Sequence, residues 1–301
     1  MTTNPFAEDH LPEGQPVIET KNVKRCRSFM RLITDPRRRS PTMGVITGLA
    51  GVGKTIAAQY YLDSLAPHAQ TALPTAVKIK VIPRSTPRAL AKTILDSLLE
   101  KSRGSNIYEI ADEAAEAIER NYISLLVVDE ADRLNEDSFE VLRHLFDKTG
   151  CRIVLVGLPS ILSVIERHQK FSSRVGLRMP FVPLELKEVL EVILPQLVFP
   201  YWNYHAELPA DRQLGERIWH KVNPSLRNLT TLLATASQMA TDEQCPSITS
   251  DLIDEAYIWM MTQQEQYYAD TPPPPAETET KGPHEQASEE RHKAKEKTDE
   301  P

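Results

Sequence analysis

Eight consecutive positions restrict this chain more than any other stretch: Gly48-Leu-Ala-Gly51-Val-Gly53-Lys54-Thr55 reproduces the spacing GxxxxGK(S/T). A short apolar run over 43–47 leads into it, and the residues that follow suit a helix. That context predicts a strand, a tight loop and a helix N-terminus in succession. Glycines let backbone N–H groups close around phosphates, and the helix dipole adds positive potential at the same point. Lys54 is then placed to reach the β and γ phosphates, and the Thr55 hydroxyl to ligate magnesium. The expected nucleotide contacts are Gly48, Leu49, Ala50, Gly51, Val52, Gly53, Lys54, Thr55 and Ile56.

A second apolar run, Leu125-Leu-Val-Val128, ends in the paired carboxylates Asp129 and Glu130. Carboxylates at the C-terminal end of a strand lie where a parallel sheet presents its ligands. Asp129 is expected to hold magnesium, and Glu130 to polarise the attacking water beside it. Acids after a strand also cap helices, a use open to Asp132 as well. Together with the phosphate loop, the pair points to ATP and Mg2+ as cofactors and to ATP hydrolysis, with Glu130 and Lys54 catalytic.

Organisation along the chain agrees. Strand patterns at 43–47, 77–82, 123–128, 152–156 and 178–182 alternate with helical patterns at 86–101, 107–120 and 138–148. In the first of these helices Leu90, Ile94, Leu95, Leu98 and Leu99 share a face. Strands alternating with helices imply an α/β fold, a parallel sheet between helices. A further helix is expected at 22–33, and four more at 186–199, 213–222, 225–239 and 250–268, with no β pattern among the last four. Four prolines and a charged sequence without large apolar residues follow from Thr271, a composition that predicts a disordered tail.

The formal net charge of −7 is unevenly spread. Positions 21–39 hold eight basic residues against Asp35 alone, +7, so an acidic chain still carries a local phosphate-binding patch. No run of about 18 apolar residues occurs and the first residues lack a signal-peptide core, which predicts a cytoplasmic protein without membrane contact. Cys26, Cys151 and Cys245 are far apart and in no zinc spacing, so neither a disulfide framework nor a metal knuckle is expected.

The block Asp129-Glu-Ala-Asp-Arg-Leu134, followed by a helix and then Ile153-Val-Leu-Val-Gly157, resembles the AAA+ transposition ATPases: phage Mu B protein, TnsC and TniB. Thr20-Lys-Asn-Val-Lys24 and Pro224-Ser-Leu-Arg227 are similar to that family too. The resemblance implies an AAA+ P-loop NTPase: an N-terminal extension with a basic helix over 1–42, the nucleotide-binding domain over 43–185, a small all-α lid over 186–269, and a tail over 270–301. It implies a homo-oligomer, a head-to-tail filament or ring, built on double-stranded DNA with ATP and with little sequence preference. It also implies a transposase partner, a target-selection protein such as a TniQ-type adaptor, and disassembly on hydrolysis. By the same resemblance Arg174 matches the arginine finger that acts on a neighbour's ATP, and Arg227 the lid arginine that senses nucleotide.

One departure stands out, because the family places a polar residue after the glycine of the fourth strand and here that position is Leu158. Ser160 could stand in, although Pro159 constrains the turn, and a slow ATPase is expected. DNA contacts are expected from Arg84, Arg88 and Lys92, the last two four residues apart on the helical face away from its leucines, with Lys101, Arg103 and Ser105 beyond. Charged helical faces are also simply solvated, and the Arg37–Arg39 run admits both readings. A helicase loader or replication initiator is the alternative function. An initiator is expected to carry a DNA-reading domain after its lid, and a secretion ATPase a membrane segment.

Overall fold

The computed structural model describes residues 17–35, 37, 42–65, 75–222 and 225–270, with side chains to 262. The expected tail and the residues Arg38, Arg39 and Pro224 lie outside them.

Five parallel strands form one sheet: β1 (Met43–Thr47), β2 (Ala76–Lys80), β3 (Leu125–Asp129), β4 (Arg152–Gly157) and β5 (Val175–Pro180), in the order β2-β3-β4-β1-β5. Buried on both faces, β1 and β3 are continuous apolar runs, as a parallel sheet covered on two sides requires. Val45, Leu126, Val128, Ile153 and Leu155 point to one side. They pack with α3 (Pro87–Ser97), α4 (Ile107–Arg120), α5 (Glu136–Thr149) and the short α6 (Ile161–Arg167) and α7 (Gln169–Ser172). Ile46, Leu125, Val127, Val154 and Val156 point to the other, against α1 (Lys21–Thr34) and α2 (Lys54–Asp63).

Local chemistry sets the helix ends. Thr20, Thr86, Asn106 and Asn135 cap α1, α3, α4 and α5 by accepting from backbone N–H groups of the first turn, and Gly150 ends α5 in the left-handed conformation. Buried Asn22 on α1 donates from Nδ2 to the Val182 carbonyl (2.8 Å), and its Oδ1 accepts from the Val182 amide (3.2 Å), tying α1 to the chain beyond β5.

Several expected boundaries are corrected. Helix α3 ends at Ser97, and Leu99 leaves the apolar face with φ +58° and 88% exposure. β5 begins three residues before the expected 178. Gly176 and Pro180 weaken its sequence signal, yet both are tolerated in an edge strand. The single helix expected over 186–199 starts as α8 (Leu186–Glu188), widens to a π turn over Val189–Ile193 and tightens to a 3-10 turn over Leu194–Gln196. Pro195, without an amide to donate, accounts for its early end. Then come α9 (Pro209–Val222), α10 (Leu226–Asp242) and α11 (Ser250–Asp270), all helical as expected. The described residues up to Tyr257 form one compact unit and those from Ile258 a second.

Candidate nucleotide site

Strand β1 delivers Gly48 at its C-terminal end, where the Gly48 amide donates to the Gly157 carbonyl (3.3 Å). Gly51 and Gly53 have φ of +75° and +91°, a conformation that L side chains rarely adopt, so the loop requires glycine at both. Val52 is buried, Leu49 and Ala50 are exposed, and Thr55 and Ile56 stand half-buried in the first turn of α2. Lys54 Nζ donates to the carbonyls of Gly48 (2.6 Å) and Leu49 (2.8 Å), so the ammonium lies along the loop that it closes. Burial holds the Lys54 pKa below its ordinary value; Asp129 and Asp132 nearby oppose that shift, and Arg227 adds to it.

At the end of β3, Asp129 is 3% exposed and its Oδ1 accepts from the Glu130 amide (2.9 Å). Glu130 has φ +53°, an uncommon backbone for a residue with a side chain, and it turns the chain sharply after the strand. Its carboxylate pairs with Lys80 (3.2 Å) and with Arg133. Asp132 turns elsewhere: its Oδ1 accepts from the Leu158 amide (2.8 Å), lashing the ends of β3 and β4 together. Gly157 permits this approach, since a Cβ there would lie 2.6 Å from that oxygen. Leu158 itself is 38% exposed and apolar, so the position supplies a backbone N–H and no polar side chain, while Ser160 stands exposed at the start of α6.

A magnesium ion bound with a nucleotide takes one or two protein oxygens and completes its shell with phosphate and water. The Thr55 hydroxyl and the Asp129 carboxylate, the latter near enough to Lys54 to oppose its pKa shift, match that donor set.

The helices that follow β5 reach the loop directly. Ser225 caps α10 by accepting from the Asn228 amide (3.3 Å), and the Arg227 amide donates to the Gly51 carbonyl (3.1 Å). A Cβ on Gly51 would lie 2.5 Å from Ser225 Oγ and 3.0 Å from Arg227 Cβ, and one on Gly53 would lie 3.3 Å from Leu226 Cδ1. The first turn of α10 therefore rests on the phosphate loop. Two helix N-termini and the charges of Lys54 and Arg227 converge there, an arrangement suited to polyphosphate.

Arg174 is not brought to this site. Its carbonyl accepts from the Met43 amide at the start of β1, one whole strand or about 16 Å from the phosphate loop at a rise of about 3.3 Å per residue. Its guanidinium makes two parallel bonds to Asp147 on α5, Nε–Oδ1 2.6 Å and Nη2–Oδ2 2.7 Å. That pair holds the Asp147 carboxyl below its ordinary pKa.

The expected DNA residues form a separate group. Arg84, in the turn after β2, has φ +58°, and Arg84, Arg88, Lys92, Lys101, Arg103 and Ser105 are all exposed. Arg88 Nη1 donates to the Ser105 carbonyl (2.6 Å), joining the start of α3 to the start of α4. Acids intervene, because the Ser105 amide and hydroxyl donate to Glu109 and the Arg103 amide to Glu113. The surface is thus mixed in charge.

Sequence reasoning missed Lys80, Asp147 and the contact of α10 with the loop. Lys80 pairs opposite Asp129 in the sheet register, which only the strand order discloses. Arg133, three residues after Glu130, was open to reading as an ion-pair partner.

Comparison with known proteins agrees with this geometry. Residues 37–165 match a family described as AAA domain. A Staphylococcus aureus protein described as a potential ATP-binding protein is 24% identical over 203 residues, 61% of this chain and 73% of that protein. Among solved structures, the Aeropyrum pernix ORC1 protein in complex with DNA is similar with a TM-score of 0.60 and 16% identity, over 85% of this chain and 68% of that one. Cdc6p from Pyrobaculum aerophilum is similar with a TM-score of 0.62 and 16% identity, over 83% and 69%. Likenesses at this level of identity speak for the fold. The family match covers 37–165, and the five-stranded parallel sheet with the helices that follow has the AAA+ P-loop NTPase fold.

Proposed function

We propose that this protein is an ATPase that assembles head to tail on duplex DNA when ATP is bound and comes apart on hydrolysis, serving transposition by recruiting or activating a transposase. The observation that carries the assembly is the separation of Arg174 from its own phosphate loop by the length of β1. An arginine at that end of the sheet acts on nucleotide only across an interface.

In each protomer Gly48 to Ile56 hold the phosphates and Glu130 polarises water. Glu130 must first loosen its pairs with Lys80 and Arg133. Thr55 and Asp129 would hold Mg2+, which when bound neutralises charge on the phosphates. The apolar Leu158 supports a slow reaction, because the position after the glycine of β4 then offers the attacking water no polar side chain. Helices beyond Glu185 act as the lid, with Arg227 reporting nucleotide to α10, and Arg84, Arg88, Lys92, Lys101, Arg103 and Ser105 face the DNA backbone. Transposase and TniQ-type partners rest on the Asp129-Glu-Ala-Asp-Arg-Leu134 resemblance.

A second reading, a replication initiator or helicase loader, is favoured by the likeness to the ORC1 and Cdc6p folds. Electron microscopy with ATP and long duplex DNA separates the two. Filaments or rings on duplex of any sequence, lost in Arg174→Ala, support the transposition reading. Bare duplex, with the protein instead captured by a replicative helicase, would overturn it.

A further inference from the structure

The most basic of the described helices takes no part in the nucleotide site. One side of α1 is spent on the core: Val23, Cys26, Phe29, Met30 and Ile33 are buried against the sheet and α2. Its opposite arc exposes Lys24, Arg25, Ser28, Arg31 and Leu32. At 3.6 residues per turn, Lys24, Ser28 and Arg31 form one row along the axis with Arg25 on its flank. Lys21 pairs with Glu185 and Arg27 with Glu19, but Lys24, Arg25 and Arg31 have no carboxylate partner among the described residues.

Arg31, in the last turn, suits the helix dipole, but stability of the helix does not explain Lys24 and Arg25. The first turn of α1 holds no acidic residue and Lys24 opposes the helix dipole there, whereas Lys21 is paired with Glu185 and its amide donates to Glu188. Like charges on neighbouring turns also repel. A partner of opposite charge relieves both costs. From Lys24 to Arg31 the row runs about 10 Å at a rise of about 1.5 Å per residue. That length spans about three phosphates of one strand, spaced about 3.4 Å along the duplex axis.

We propose that this ridge binds the phosphate backbone of duplex DNA, without nucleotide, on the opposite face of the sheet from Arg88 and Lys92. The polyanion is that of the DNA-binding reading above, on which this inference rests, but neither assembly nor ATP is required. An anionic membrane fits less well, since insertion needs an apolar face and that of α1 is committed to the core. A protein partner would need buried apolar anchors, of which the ridge offers Leu32 alone, whereas phosphate binding needs none.

The test uses the full chain carrying Lys24→Gln, Arg25→Gln and Arg31→Gln, with a fluorescein-labelled duplex of mixed sequence, no nucleotide and a range of NaCl concentrations. The affinity should fall at least about tenfold at low salt, and the log–log salt slope should flatten by about 0.9 for each phosphate that the ridge no longer neutralises. A charge-keeping variant, Lys24→Arg with Arg25→Lys and Arg31→Lys, should retain the parental slope. No nucleotide-independent binding by the parent, or an unchanged slope in the Gln variant, overturns the proposal. So does loss of binding to phosphatidylserine vesicles, or of self-association in sedimentation, while duplex binding stays intact. Arg88→Ala with Lys92→Ala runs alongside. An effect there with ATP added, and none in the ridge variant, sinks the ridge and spares the α3 face; no effect there even with ATP, and loss in the ridge variant, spares the ridge and sinks that face.

Discussion

Replacing Gly51 by alanine separates the packing of α10 on the phosphate loop from the strain of the loop itself. At φ +75° an alanine costs about 1–2 kcal/mol of backbone energy in any surroundings. Its Cβ would also lie 2.5 Å from Ser225 Oγ and 3.0 Å from Arg227 Cβ, so the first turn of α10 must withdraw. Withdrawal breaks the Arg227 N–H to Gly51 carbonyl bond, worth about 1 kcal/mol. It also disturbs the Ser225 cap, worth about 1 kcal/mol more. Gly51→Ala should therefore lower the unfolding free energy by about 3–4 kcal/mol. Gly53→Ala is the control: φ is +91°, but the nearest atom is the flexible end of Leu226 at 3.3 Å, so only the backbone cost of about 1–2 kcal/mol is expected. Urea unfolding of nucleotide-free protein, followed by tryptophan fluorescence, measures both. Adding Ser225→Gly to Gly51→Ala should recover part of the loss, a coupling of about 1 kcal/mol. Equal costs for the two glycine variants, with Ser225→Gly strictly additive, would refute the packing of α10 on the loop.

Arg174→Ala should bind ATP as the parent does yet lose assembly-stimulated hydrolysis, and mixing it with Glu130→Gln should restore part of the turnover; no recovery despite confirmed co-assembly would exclude action across the interface. Burial pushes the thiols of Cys26 and Cys151 up to about 12, so in native protein Cys245 alone should react quickly with a thiol reagent at neutral pH, the other two only on unfolding. Arg217 and then Lys221 hold the Asp254 carboxyl down to about 2 from an ordinary 3.8, so the pair adds stability above pH 3.8 that is lost as pH falls towards 2. Melting curves of Asp254→Asn should accordingly lie below the parent near neutral pH and converge with it over that acidic window; a gap of constant size would count against the pairing.

Most of the fold is legible in the sequence because the apolar runs of β1, β3 and β4 and the caps of α1, α4 and α5 are local signals. β5 and the helix after Leu186 are less so. In the first, an edge position overrides the poor strand propensity of Gly176 and Pro180; in the second, packing turns one helical pattern into α, π and 3-10 turns. The phosphate loop and the Asp129-Glu130 pair follow from spacing. The surroundings of Glu130 do not, because Lys80 meets it through strand order, across about 50 residues of sequence, as neighbouring parallel strands allow. Asp132 illustrates the same limit: its sequence neighbours suggest a cap, while the fold spends its oxygen on the Leu158 amide.

Nucleotide binding and phosphate release by Lys54→Ala and Glu130→Gln, measured side by side with the parent, test the central claim most directly. Glu130→Gln should keep the parental affinity for ATP and release phosphate at least about 100-fold more slowly, since only the water-polarising carboxylate is gone. Lys54→Ala should bind no ATP. Parental turnover in Glu130→Gln, or undiminished ATP binding in Lys54→Ala, would contradict the assignment of the site.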